Sequence, residues 1–191
     1  MSGNNEVDIL VLQTERLRLR GPRMADALPI FDYARDPQVS RFLGWTAHRD
    51  IHESVAFLHE AIAETEAGGR LPRVIERRED GRVLGMIDVR WRSRSAGVGY
   101  VLAADAWGQG YATEALRVVL DDVFARLPVR DVWAICDLEN PASARVLEKS
   151  GMTRCGVLRR YHTCPALGPE PRDVYGYARL RDGFAPEPLV G

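Results

Sequence analysis

The chain predicts an α/β (α+β) fold, a mixed central sheet with helices on both faces. Three observations carry that expectation. Short strand-type runs recur from end to end and are interleaved in the second half with two helical patterns, an order that stacks helices on a sheet. Asp80-Gly81, a dipeptide of the kind that closes antiparallel hairpins, stands between two of those runs. The apolar run Val98-Gly99-Tyr100-Val101-Leu102 then breaks at Trp107-Gly108-Gln109-Gly110-Tyr111-Ala112 and passes straight into a helix.

Each element has a local reason. Residues 1–13 read as a loose leader followed by a short apolar stretch, and Leu17-Arg18-Leu19-Arg20 alternates with the period of a half-buried strand. A helix is expected over 24–35, closed before Pro37. A second is expected over 48–67, with Ile51, Val55, Leu58 and Ile62 on one face and Gly68-Gly69 as its stop. Strands follow over 73–77, 82–89 and 97–102. In the helix after the glycines, Ala112, Ala115, Leu116, Val119, Leu120 and Val123 form an apolar stripe, while Glu114, Arg117, Asp121 and Asp122 take the other faces. Val132-Trp133-Ala134-Ile135-Cys136 is dense enough in apolar and β-branched residues to be a core strand. Asn140-Pro141 supplies the cap and first residue of a helix that Gly151 ends. Strands near 156–161 and over 174–180 flank a proline-rich loop, 164–172, and the tail after Arg181 is expected to be mobile.

Composition narrows the function. With 191 residues, 46% of them hydrophobic, the chain suits one domain, 1–191, with a full core. A net charge of -1 argues against a general nucleic-acid binder. No segment is long and apolar enough to span a bilayer, and the N-terminus lacks a signal-peptide pattern, so a cytoplasmic protein without a membrane partner is expected. Cys136, Cys155 and Cys164 are an odd set without metal-ligand spacing and read as reduced thiols. His48, His52 and His59 share a spacing on the helix expected over 48–67, but they lack a further well-spaced ligand and read as a solvated face, so no metal is expected.

Strand, glycine loop and helix in that order build a phosphate site from backbone alone. The first amides of a helix have no intrahelical acceptors and lie at the positive end of its dipole. Gly108 and Gly110 let a polyanion reach those amides without meeting a Cβ, which points to a phosphorylated cofactor. A plain glycine turn before a core helix is one competing reading. A dinucleotide loop of an oxidoreductase is another, and it fails in detail: its third glycine position is Thr113, and Asp137 and Glu139 lie too far along for a ribose contact.

Together with three further motifs, these residues resemble the GCN5-related N-acetyltransferases (GNAT), and within them the ribosomal-protein N-terminal acetyltransferases. Thr14-Glu15-Arg16-Leu17-Arg18-Leu19-Arg20 is similar to the opening strand of that branch, and Asp36-Pro37-Gln38-Val39 to its first interhelical turn. Gly99-Tyr100-Val101-Leu102 through Ala115 is similar to its acetyl-CoA signature. Asn140-Pro141-Ala142-Ser143 with Leu147-Glu148-Lys149-Ser150-Gly151-Met152 is similar to its second motif. Trp107 departs from the Arg or Gln with which the wider superfamily opens its loop.

The resemblance covers a core of roughly 14–181 and implies a GNAT-like mixed, mostly antiparallel central sheet, with acetyl-CoA as cofactor held by Val101, Leu102, Trp107, Gly108, Gln109, Gly110, Tyr111, Ala112 and Thr113, with Asn140 and Ser143. It implies acetyl transfer to a primary amine, on a protein N-terminus or a small molecule, by direct attack, with an oxyanion donor among the amides near Val101-Leu102. Asn140 would face the pantetheine arm and Ser143 the thioester sulfur, although helix capping explains both residues on its own. Where many relatives carry a Glu, the strand before the loop carries Ala96, Gly97, Val98 and Gly99. His162 is then the leading candidate base, since an imidazole changes charge near neutral pH, and an ordinary loop histidine is the alternative. Tyr161, Asp137 and Glu139 are further candidates, and Cys136 reads as a small apolar filler. The expected catalytic set is Ser143, Asn140 and His162. A non-catalytic acyl-CoA sensor and an antibiotic-type amine acetyltransferase stay open, and a homodimer is allowed.

Overall fold

The structure is a computed structural model and describes residues 10–184. Its strands are β1 (Leu12–Gln13), β2 (Leu17–Arg20), β3 (Arg70–Arg77), β4 (Val83–Arg92), β5 (Ser95–Leu102), β6 (Asp131–Asp137), β7 (Thr153–His162) and β8 (Arg172–Leu180). They form one sheet in the order β1-β2-β3-β4-β5-β6-β8-β7. Every ladder is antiparallel except the one between β5 and β6.

Helices cover both faces, as expected. On one, α1 (Ala27–Ala34) and α3 (Ile51–Ala67) bury Ile30 and Leu58 against Val74 and Met86. On the other, α4 (Tyr111–Arg126) and α5 (Pro141–Lys149) bury Leu116, Leu120 and Leu147 with Ile75, Ile87 and Val132. Neighbouring residues such as Val74 and Ile75 thus serve opposite cores, which is the two-residue period of a strand. No helix among the described residues is long and apolar enough to cross a membrane.

Four local readings need adjustment. The apolar end of the leader pairs with β2 as β1, Leu12 opposite Leu19, while residues 1–9 lie outside the described part. Beyond Arg181 the described chain continues to Phe184, and the tail from 185 also lies outside it. The turn at Asp36-Pro37 winds into a short helix, α2 (Pro37–Ser40), because the Asp36 carboxylate accepts the Gln38 N–H at 2.8 Å over a proline suited to the first helical position. The helix expected from residue 48 starts at Ile51, since Asp50 caps the His52 N–H at 2.8 Å. His48 therefore precedes α3, with Nδ1 at 2.8 Å from Ser54 Oγ, and does not share a helix with His52 and His59.

The helix that carries the glycine loop is pinned to the sheet by charge. Arg73 of β3, fully buried, reaches Asp122 of α4 at 2.6 Å. Burial lowers the Arg73 pKa and the Asp122 carboxylate opposes that shift. Removing one partner of a buried pair leaves an uncompensated charge in the interior. Asp122→Ala is therefore expected to cost about 3–5 kcal/mol in urea unfolding, whereas Asp121→Ala, at an exposed neighbour, stays within about 0.5 kcal/mol. Equal effects of the two substitutions would remove the pair from this account.

Candidate active site

β5 and β6 stay paired over three residues, Ser95 with Asp131, Ala96 with Val132 and Gly97 with Trp133. Beyond that, β5 follows β4 as far as Leu102 and β6 follows β8 as far as Asp137, and the two strands part. The Ala103 amide donates to the Leu84 carbonyl at 2.8 Å, so by strand alternation the backbone groups of Val98, Tyr100 and Leu102 face the gap. The Leu102 carbonyl is met there by the indole N–H of Trp107 at 2.9 Å. Val101 turns its backbone toward β4, so of the two amides considered for an oxyanion only that of Leu102 faces the gap.

The gap widens into a cleft of about 950 Å³. Val101, Leu102, Trp107, Gly108, Gly110, Tyr111, Ala112, Thr113, Asn140, Ser143 and His162 all line it. Gln109 does not: its side-chain amide donates to the Asp105 carbonyl at 2.7 Å, and its own carbonyl accepts from Arg16. Gly108 and Gly110 have φ of 73° and 83°, a region that costs other residues strain. A Cβ on Gly108 would meet no atom within 4 Å, so the approach is open. Gly110 caps α4 without a side-chain hydrogen bond, which leaves the first amides of the helix to a ligand. These features fit a pyrophosphate at the helix start and a pantetheine arm laid along the free edge of β5.

Ser143 sits in the first turn of α5, where Asn140 caps its N–H at 3.1 Å. Its hydroxyl is 2.8 Å from the phenol of Tyr100, which also approaches the Ser143 carbonyl at 3.3 Å. Burial pushes the Tyr100 pKa well above the ordinary phenol value, so this phenol stays protonated and can donate. Tyr100 stands in the Gly99-to-Leu102 motif, which gives its side chain no role. Its parity with Val98 and Leu102 puts it on the face covered by α4 and α5, and that was the available signal.

His162 ends β7 with its imidazole against the segment after α2, where a Cβ on Gly44 would be 3.3 Å from Cε1. Asp137 also lines the cleft, but both its oxygens are engaged, by Arg172 at 2.6 and 3.1 Å and by the Glu139 N–H at 2.9 Å. Burial alone would raise its pKa, and the Arg172 guanidinium outweighs burial and holds it below the ordinary carboxylate range. That makes Asp137 an anchor for Arg172 and a poor base. Glu139 is exposed and shares Arg172 at 3.2 Å, and Tyr161 is exposed outside the cleft. Burial pushes the Cys136 thiol up to about 11, which keeps it protonated at neutral pH.

A family model described as the acetyltransferase (GNAT) domain matches residues 16–153. The chain belongs to the GNAT acetyltransferase family. It is 29% identical over 154 residues to YoaA, an uncharacterized N-acetyltransferase of Bacillus subtilis, covering 79% of this chain and 87% of that one. RimJ of Mycobacterium smegmatis, solved in complex with CoA-disulfide, is 28% identical at a TM-score of 0.77, over 86% of this chain and 81% of its own. RimL, a ribosomal L7/L12 alpha-N-protein acetyltransferase solved with coenzyme A, shares the fold at a TM-score of 0.80 and 18% identity, over 92% and 100%. This GNAT chain is thus an acetyl-CoA-dependent N-acetyltransferase, with ribosomal-protein acetyltransferases among its structural neighbours.

The Asp137–Arg172 pair makes a pH-dependent contribution. A carboxylate whose pKa is depressed on folding stabilises the protein above its unfolded pKa, and that stability is lost as pH falls through the folded value. Arg172→Gln is expected to lower urea stability at neutral pH, and the difference from the parent should shrink below about pH 4. A difference that is constant with pH would mean that Arg172 acts by packing alone.

Proposed function

We propose that this GNAT enzyme transfers acetyl to a primary amine, on a protein N-terminus or a small molecule, by direct attack in the cleft between β5 and β6. The observation that carries the reading is the gap itself, lined by the uncapped glycine start of α4, the outward backbone of Leu102, and the side chains of Ser143 and His162. Acetyl-CoA supplies an activated thioester. Holding amine and thioester together replaces a bimolecular encounter. The Leu102 N–H would donate to the thioester oxygen as charge builds there. Tyr100 would donate to Ser143 Oγ, leaving the Ser143 proton for the departing sulfur. Asn140 fixes the turn that presents Ser143, and His162 would take the amine proton.

An acyl-CoA sensor without turnover is the second reading, favoured by a β5 that carries no carboxylate. Both are tested by release of free thiol from acetyl-CoA across peptides with varied N-termini, polyamines and aminoglycosides. The transfer reading predicts amine-dependent release. Ser143→Ala should lower kcat on the order of 10²-fold with little change in CoA affinity. A limb of kcat/KM that rises with pH should disappear in both His162→Ala and His162→Gln. Tight CoA binding with no amine-dependent release would favour the sensor, and wild-type turnover of Ser143→Ala would return that residue to the helix cap.

A further inference from the structure

The opening segment Thr14-Glu15-Arg16 has no part in this mechanism, yet it is bound to the start of α4. Thr14 Oγ1 donates to Glu114 Oε1 at 2.5 Å, the Arg16 backbone N–H to the same oxygen at 3.1 Å, and Arg16 Nε to Glu114 Oε2 at 2.7 Å. The guanidinium also donates through NH1 to the Gln109 carbonyl at 3.0 Å and lies 4.6 Å from the centre of the Tyr111 ring. A Cβ on Gly110 would stand 3.4 Å from Arg16 NH2. Arg16 thus grips the residues on both sides of the glycine that starts the helix.

We propose that Arg16 is a positioning residue for anion recognition: it neutralises Glu114 and sets the direction of the Gly110 amide. This rests on the reading that a pyrophosphate sits at the start of α4. Glu114 is the acidic residue of the first turn of α4. A carboxylate there suits the helix dipole but opposes an incoming anion, by direct repulsion and by offsetting the dipole that would attract it. Burial works against ionisation of Glu114, but the hydrogen bonds from Thr14 and Arg16 outweigh it and lower the pKa, so the negative charge is present at neutral pH. The Arg16 charge compensates it in place.

The second effect is geometric. The Gln109–Gly110 peptide is trans, so a Gln109 carbonyl held by Arg16 leaves the Gly110 N–H pointing away from Arg16. A planar guanidinium can hold both carboxylate and carbonyl at once, which a lysine ammonium does less well.

The test is calorimetric titration of CoA into the parent, Arg16→Gln, Glu114→Gln and the double variant, at about 50 mM and about 500 mM salt, each first checked for fold by circular dichroism and thermal melting. Arg16→Gln should weaken CoA about tenfold relative to the parent at low salt. That ratio should shrink at high salt, where repulsion by Glu114 is screened, and Glu114→Gln should restore most of the loss. Parent affinity in Arg16→Gln would overturn the proposal. So would a loss that is equal at both salt concentrations and unrelieved by Glu114→Gln, the pattern of a merely structural tether. No acceptor enters the titration, so failure here and failure of the amine screen are separate results.

Discussion

The constraint on which the site depends is the early end of the only parallel ladder among the described residues. β5 is held along its length by β4, and β6 by β8, so the two central strands follow different neighbours once their three paired residues are past. Gly97 stands at that last pair. A Cβ there would come within 2.9 Å of the Trp133 ring, so the glycine lets the indole lie across β5 where the strands separate. Backbone groups released in the middle of a sheet are strong, obligatory hydrogen-bonding groups. The carbonyl of Leu102 is satisfied by Trp107, and the amides facing the gap become the natural donors for an amide- and carbonyl-bearing ligand.

The helices then determine what that gap can do. The Arg73–Asp122 pair fixes α4 on β3, and the αL conformation at Gly110 starts the helix at the mouth of the gap. α5 begins with Asn140 and Pro141 and presents Ser143 toward Tyr100. A charged residue of the opening segment, Arg16, reaches the same helix start. The sheet and both helix starts therefore line one cleft, and a chain segment nearly a hundred positions upstream braces the start of α4 from outside that lining.

What was legible in the chain was local. The stripe from Ala112 to Val123, the Asn140-Pro141 start and the strand alternations depend on neighbours within a turn or a strand, and the structure bears them out. The difference between a helix start at His48 and the observed one at Ile51 is also local: Asp50 is an acceptable cap, and the apolar face alone does not decide between the two positions. The rest lies in pairings that no periodicity encodes. The insertion of β8 between β6 and β7, the separation of β5 from β6, the Tyr100–Ser143 contact across 43 positions and the Asp137–Arg172 pair across 35 are products of topology. Asp137 illustrates the consequence, since a candidate base in the sequence is an engaged carboxylate in the fold.

Residue-resolved amide exchange with and without CoA tests the central claim most directly. If the cofactor lies along the free edge of β5 and on the start of α4, CoA should slow exchange at Tyr100, Leu102 and the first amides of α4. Gly99 and Val101, whose backbone groups face β4, should change little. Protection that ignores this alternation, or that falls outside the gap between β5 and β6, would contradict the account.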